Sequence, residues 1–139
     1  MARKQAYRLT NLELAVMEIL WDAERPLTRT EVLDAGVDEQ GEPLFAASSF
    51  HLLINKLIEL KYILVINREG KHGNYGRRYT SNVTRAEHYA HQITGASSFT
   101  PQDIPAIICA LFQYADVKDA DAVLMEAKEL LEKKKKARQ

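Results

Sequence analysis

Ser48, Ser49, His51, Leu52, Asn55 and Lys56 cluster within one short segment, and each could read a base edge or a phosphate. Asparagine can pair bidentately with adenine, lysine can reach guanine or phosphate, and an apolar group can meet a thymine methyl. Leu52 is the informative member, because an apolar side chain among polar ones suits a base edge, although single exposed leucines are common. A second set follows nearby. Lys71, His72, Arg77 and Arg78 stand in or beside a turn that holds Gly70, Gly73 and Gly76. Glycines allow close backbone approach, and the cations can grip phosphates. The alternative is a hairpin that is only flexible and solubilising.

Other chemistries lack the residues they need. Glu87, His88 and His91 could share a helix face and approach a metal, but no third strong ligand lies near them, so no metal is expected. Ser97 and Ser98 lack a nucleophile elbow. No Gly-rich phosphate loop of the GxxxxGK[ST] type occurs. The single cysteine, Cys109, rules out an internal disulfide framework and a Cys-rich metal site. It sits beside Ile107, Ile108 and Leu111, so it reads as a core thiol rather than a redox sensor. No paired carboxylates or triad stand out. The chain is read as a non-enzyme, and no cofactor is expected.

Caps and periodicity give the elements that must position the first two sets. Thr10 and Glu13 have capping-box spacing, and Leu12, Val16, Ile19 and Leu20 recur at helical period. A first helix therefore covers about 11–23, with Pro26 beyond it. Thr28 and Glu31 open a second helix that ends at about Ala35, where Gly36 stops it. Residues 36–45 read as a polar loop. Ser48 precedes a third helix over about 49–61, in which Phe50, Leu53, Ile54 and Leu57 form one buried stripe. That stripe puts Ser48, His51, Leu52, Asn55, Lys56 and Glu59 on the opposite face. The period then changes. Tyr62–Arg68 reads as a strand and Arg77–Thr80 as its returning partner.

Three short helices followed by a β-hairpin make a winged helix-turn-helix arrangement. Its third helix can lie in the DNA major groove while the hairpin touches the backbone or minor groove. Winged helices also serve as protein-interaction modules, so this order alone does not give function. Charge adds direction. The 139-residue chain is formally neutral, with 19 basic and 19 acidic residues. Residues 45–80, however, hold six cations against two carboxylates, whereas residues 81–132 hold three against eight. Positive charge thus gathers on the third helix and hairpin, as phosphate binding requires.

From Thr84 the pattern is helical again. Ala86, Tyr89, Ala90 and Ile93 make one stripe, and Ile104, Ile107, Ile108, Leu111 and Phe112 a second. Ala120, Val123, Ala127, Leu130 and Leu131 make a third. Such stripes need cover, most commonly from a second copy, with packing back on the same chain as the alternative. Tyr89, Ile93, Ile104, Ile107, Ile108, Leu111, Phe112, Val123 and Leu130 are therefore candidate dimerisation residues. The reading is mainly α with a small β-hairpin. A winged helix-turn-helix domain over 1–81 precedes a helical dimerisation domain over 82–139, and the partners are double-stranded DNA and a second copy. Lys133–Lys136 begin a basic tail, either extra phosphate contacts or a solvated end. No apolar run approaches the ~18 residues of a membrane span, and no secretory h-region follows the basic start. A cytoplasmic location is expected, without a membrane partner.

The segment Leu9–Trp21 closely resembles the opening helix of the penicillinase repressor family, roughly LTxxExxVMxxLW. Thr28–Val32 looks like that family's second-helix start. Phe45–Leu57 is similar to its recognition segment, and Arg77-Arg78-Tyr79 to its wing end. The resemblance implies a homodimeric repressor of operator palindromes ahead of antibiotic-resistance or related genes. In the best-known systems an upstream membrane sensor protease triggers cleavage in the dimerisation helix. This chain departs from the pattern in four places. The family's recognition-helix threonine falls at Leu52, so base readout should differ. Its Lys-Gly pair after that helix falls at Leu60-Lys61, and loss of the glycine costs up to ~1 kcal/mol if the backbone there is left-handed. Its Asn-Phe cleavage bond falls at Leu111-Phe112, so cleavage is not carried over. A copper-responsive branch uses a C-terminal cysteine cluster, which a chain with Cys109 alone does not supply.

Overall fold

Threonine and glutamate three residues apart start the first two helices as expected. The computed structural model describes residues 8–69 and 75–138. Before α1 (Asn11–Ala23), the Thr10 hydroxyl accepts from the Glu13 amide at 3.1 Å, and the Glu13 carboxylate accepts from the Thr10 amide at 2.8 Å. The pair satisfies two N–H groups that the first helical turn cannot. A two-residue strand, β1 (Leu27–Thr28), follows, and Thr28 caps α2 (Arg29–Ala35) with Glu31 in the same manner. Arg25 then bonds the Glu31 carboxylate at 2.6 Å. That contact first, and the Thr28 amide second, hold the carboxyl at about 2.

The segment after α2 is more ordered than a polar loop. The Asp38 carboxylate accepts from the Gln40 and Glu42 amides, each at 2.9 Å, and Val37 bridges Pro43. This side-chain-closed turn brings Phe45 back against Gly36. A Cβ at Gly36 would lie 3.0 Å from the Phe45 ring, so the close approach requires the missing side chain. A short 3₁₀ turn over Ala47–Ser49 leads into α3 (Phe50–Glu59). Ser48 therefore lies inside that turn, and neither serine caps α3 through its side chain.

The hairpin strands are β2 (Ile63–Glu69), as long as the sequence pattern over 62–68 and one residue further along, and β3 (Tyr75–Ser81), longer than its pattern over 77–80. With β1 they form a three-stranded antiparallel sheet in the order β1-β3-β2. Two residues are too few to show a period, so β1 leaves no signature in the sequence. The fold is a winged helix-turn-helix followed by helices. Its core joins Val16, Met17, Leu20 and Trp21 of α1 to Phe50, Ile54 and Leu57 of α3. Leu27, Ile63 and Tyr79 close it from the sheet, with Tyr62 at the sheet's edge.

α3 ends in a left-handed turn. Lys61 has φ 63°, the Tyr62 amide donates to Leu57 O and the Lys61 amide to Ile58 O, both at 2.9 Å. This is the C-terminal motif in which glycine is usual, because a Cβ is strained at positive φ. Asn82 secures it by donating to Lys61 O at 2.9 Å.

α4 (Arg85–Thr94) is fastened to the same unit, which extends to Ser97. The division between the compact units thus falls at 97/98 rather than 81/82. Three contacts explain the shift. The Trp21 indole donates to Val83 O at 2.7 Å. Arg85 bonds Glu18 at 2.7 Å and Asp22 at 2.8 Å, which raises its already high pKa, and it also lies over the Trp21 ring. The Tyr62 hydroxyl and His88 Nδ1 are 2.8 Å apart in a buried pair. The packed side of α4 is therefore the His88 side. The stripe expected at Ala86, Tyr89 and Ala90 is exposed, and Ile93 is half-buried.

The second unit, from Ser98, contains a 3₁₀ turn (Pro101–Asp103), α5 (Ile104–Tyr114) and α6 (Ala120–Ala137). Among the described residues none on α5 or α6 is buried. Leu111 is 54% exposed and Leu131 61%. Cys109 is exposed as well, so it is not a core thiol.

Two outcomes follow. Lys61→Gly relieves the strained φ, and after the extra entropy of an unfolded glycine it should stabilise by about 0.5–1 kcal/mol, read from urea midpoints. A fall in the midpoint would place the strain elsewhere. The second concerns His88. Burial first, and the neighbouring His91 second, lower its pKa, against an opposing pull from Glu18. The unfolded chain therefore takes up this proton before the folded one, and stability falls as pH drops below about 6.5. That window lies above the one for Glu31, whose contribution is lost only as pH falls below its ordinary value of 4.5. Urea midpoints at pH 7 and 5.5 should differ for the parent chain, and the difference should shrink in His88→Gln.

Candidate nucleic-acid interface

The buried stripe of α3 sets the phase of its outer face. Phe50, Ile54 and Leu57 are buried and Leu53 is half-buried against them. Ser48, His51, Leu52, Asn55 and Lys56 are exposed, and Ser49 is half-buried. Four of the six candidates, His51, Leu52, Asn55 and Lys56, thus stand on the exposed side of α3, with Ser48 exposed in the 3₁₀ turn before it. Leu52 is 76% exposed. Asn55 and Lys56 lie beside it at the helical spacings of three and four residues, His51 precedes it in the chain, and Ser48 is exposed in the turn before α3.

The hairpin separates what the sequence had grouped. Asn67 pairs with Arg77, Val65 with Tyr79 and Ile63 with Ser81, while Ile66 pairs with Arg78 and Leu64 with Thr80. Directly opposed residues share a sheet face and successive residues alternate. Tyr79 and Ile63 are buried against the helices. Arg77 and Asn67 therefore continue the face that carries α3, and the Arg77 guanidinium lies 5.9 Å over the Tyr79 ring. Arg78 lies on the opposite face with the exposed Leu64 and Ile66. Its Nε is buried without a hydrogen-bond partner. Lys71 and His72 lie outside the described residues.

Ion pairing divides the cations into two groups. Arg25 and Arg85 are committed to carboxylates. Among the described residues, no ion pair engages Lys56, Arg77 or Arg78. Arg29 joins this second group. It opens α2, donates to Ala47 O at 3.5 Å and lies 5.5 Å from the Phe50 ring centroid. Sequence reading passes over it because its neighbour Thr28 explains the position as a helix start. The signal that could have found it is a cation at the first helical position of a helix-turn-helix unit, where a phosphate would approach. His88 and His91, weighed as metal ligands, belong instead to the packing of α4, and the described residues contain no group of three metal-binding side chains.

Comparison with protein families matches residues 9–133 to the penicillinase repressor family. The chain belongs to that family. Penicillinase repressors are transcriptional regulators and not enzymes. Comparison with curated proteins and with solved structures gives no match. Against the penicillinase repressor pattern, the left-handed Lys61 occupies the place of the family's glycine, so the conditional cost expected from sequence applies. Leu52 stands in the place of its threonine at the centre of the exposed face. Among the described residues, no helix is long and apolar enough to cross a membrane.

Proposed function

We propose that this member of the penicillinase repressor family acts as a homodimeric repressor that binds a near-palindromic operator in double-stranded DNA. The observation that carries the reading is the outer face of α3. Hydrogen-bonding side chains and Lys56 are presented there, with no ion pair engaging them among the described residues, and Arg77 is exposed on the sheet face that carries α3. α3 enters the major groove and the hairpin meets the flanking backbone. Arg29, at the start of α2, meets a phosphate. Arg78 faces away and contributes less.

The apolar residues of α5 and α6 support the second copy. Ile104, Leu111, Val123 and Leu130 are exposed and Ile107, Ile108 and Phe112 half-buried. Covering them at ~25 cal/mol per Å² drives association of two chains. On α4 of the first unit, the exposed Tyr89 and the half-buried Ile93 are separate candidates for contact with the second copy. Antibiotic-resistance and related genes are the first targets to examine, on family grounds alone.

Selection of genomic fragments by the purified chain, followed by anisotropy titration at several salt concentrations, tests this reading. The expected result is a near-palindromic site bound by two chains, with affinity falling steeply as salt rises. Sequence-blind binding that salt abolishes would favour a protein-interaction module instead. On the selected site, Arg77→Ala should weaken binding and reduce the salt slope by about one. Arg78→Ala should leave both nearly unchanged. Equal losses in the two variants would contradict the face assignment.

A further inference from the structure

We infer that Leu52 reads a thymine methyl in each operator half-site, an inference that rests on the repressor reading above. Three observations converge on it. Leu52 is the most exposed large apolar side chain among the described residues of the first unit. It is the third residue of α3, in the N-terminal part of a recognition helix that contacts base edges. Its neighbours on the exposed face are Ser48, His51, Asn55 and Lys56, so it is an isolated apolar point in a polar ring. An oligomeric contact takes a contiguous apolar patch of several hundred Å², which this ring does not provide.

The major groove offers one apolar group at the base edges, the C5 methyl of thymine. A leucine held rigidly by the helix buries that methyl and cannot repay a polar base edge left unpaired. Asn55 stands one turn further along the same face and has the geometry to pair with adenine. Leu52 and Asn55 together therefore favour A·T-containing steps at the centre of a half-site. The leucine side chain can neither accept nor donate a hydrogen bond.

The test replaces each thymine of the selected operator, one at a time, by deoxyuridine, which removes only the methyl. With the parent chain, one thymine per half-site should lose about fourfold in affinity, the value of one buried methyl-sized group. Leu52→Ala should bind more weakly and be indifferent to uracil at that same position. The side chain is on the surface, and an unchanged urea midpoint verifies that the variant folds. A selected operator that tolerates uracil everywhere overturns the inference and leaves the repressor reading standing. So does a uracil effect that persists in Leu52→Ala. If no duplex is preferred at all, both readings fall.

Discussion

Phe50 stands edge-on to Tyr79, with ring centroids 5.6 Å apart and planes at 73°. Aromatic pairs favour this geometry because the positive edge of one ring meets the negative face of the other. The contact ties the first residue of α3 to the middle of β3. Once Phe50 points inward, helical geometry turns Leu52, Asn55 and Lys56 outward. Once Tyr79 points inward, the pleat puts Arg77 on the same side and Arg78 on the other. One pair of rings thus sets the phase of both surfaces that the proposed interface combines.

Charge is allotted around that frame in two ways. Arg85 joins α4 to α1 through two carboxylates, and Arg25 holds Glu31 beneath α2. These cations serve the fold. Arg29, Lys56 and Arg77 are exposed, and among the described residues no ion pair engages them, so an anionic partner can take up their charge without first breaking one there. A chain with zero net charge can therefore present a local basic surface, because its carboxylates are concentrated elsewhere.

Much of this was legible in the residues. Thr10-Glu13 and Thr28-Glu31 mark helix starts because the cap is a local bond between residues three apart. The stripe of α3 shows because one face is apolar and the other polar. Features that depend on distant partners were hidden. β1 exists only because β3 lies beside it. α4 turns its His88 side inward because Tyr62 offers a hydroxyl there, which the more apolar stripe at Tyr89 does not reveal. Arg77 and Arg78 look equivalent as neighbours in sequence, and only the register against Asn67 and Ile66 separates them. Cys109 looked buried because its helix is apolar, yet within the single chain the thiol is exposed, because no described element of that chain buries α5.

Trp21 is the only tryptophan in the chain. Its indole bonds Val83 O, lies under Arg85 and stands 5.7 Å from the His88 ring. The first helix, the end of the wing and the fourth helix all meet at this one ring. Light absorbed at the red edge of the protein band is therefore emitted from a single known junction. Seating or release of α4 can be followed optically in the unlabelled chain, against a background free of other indoles.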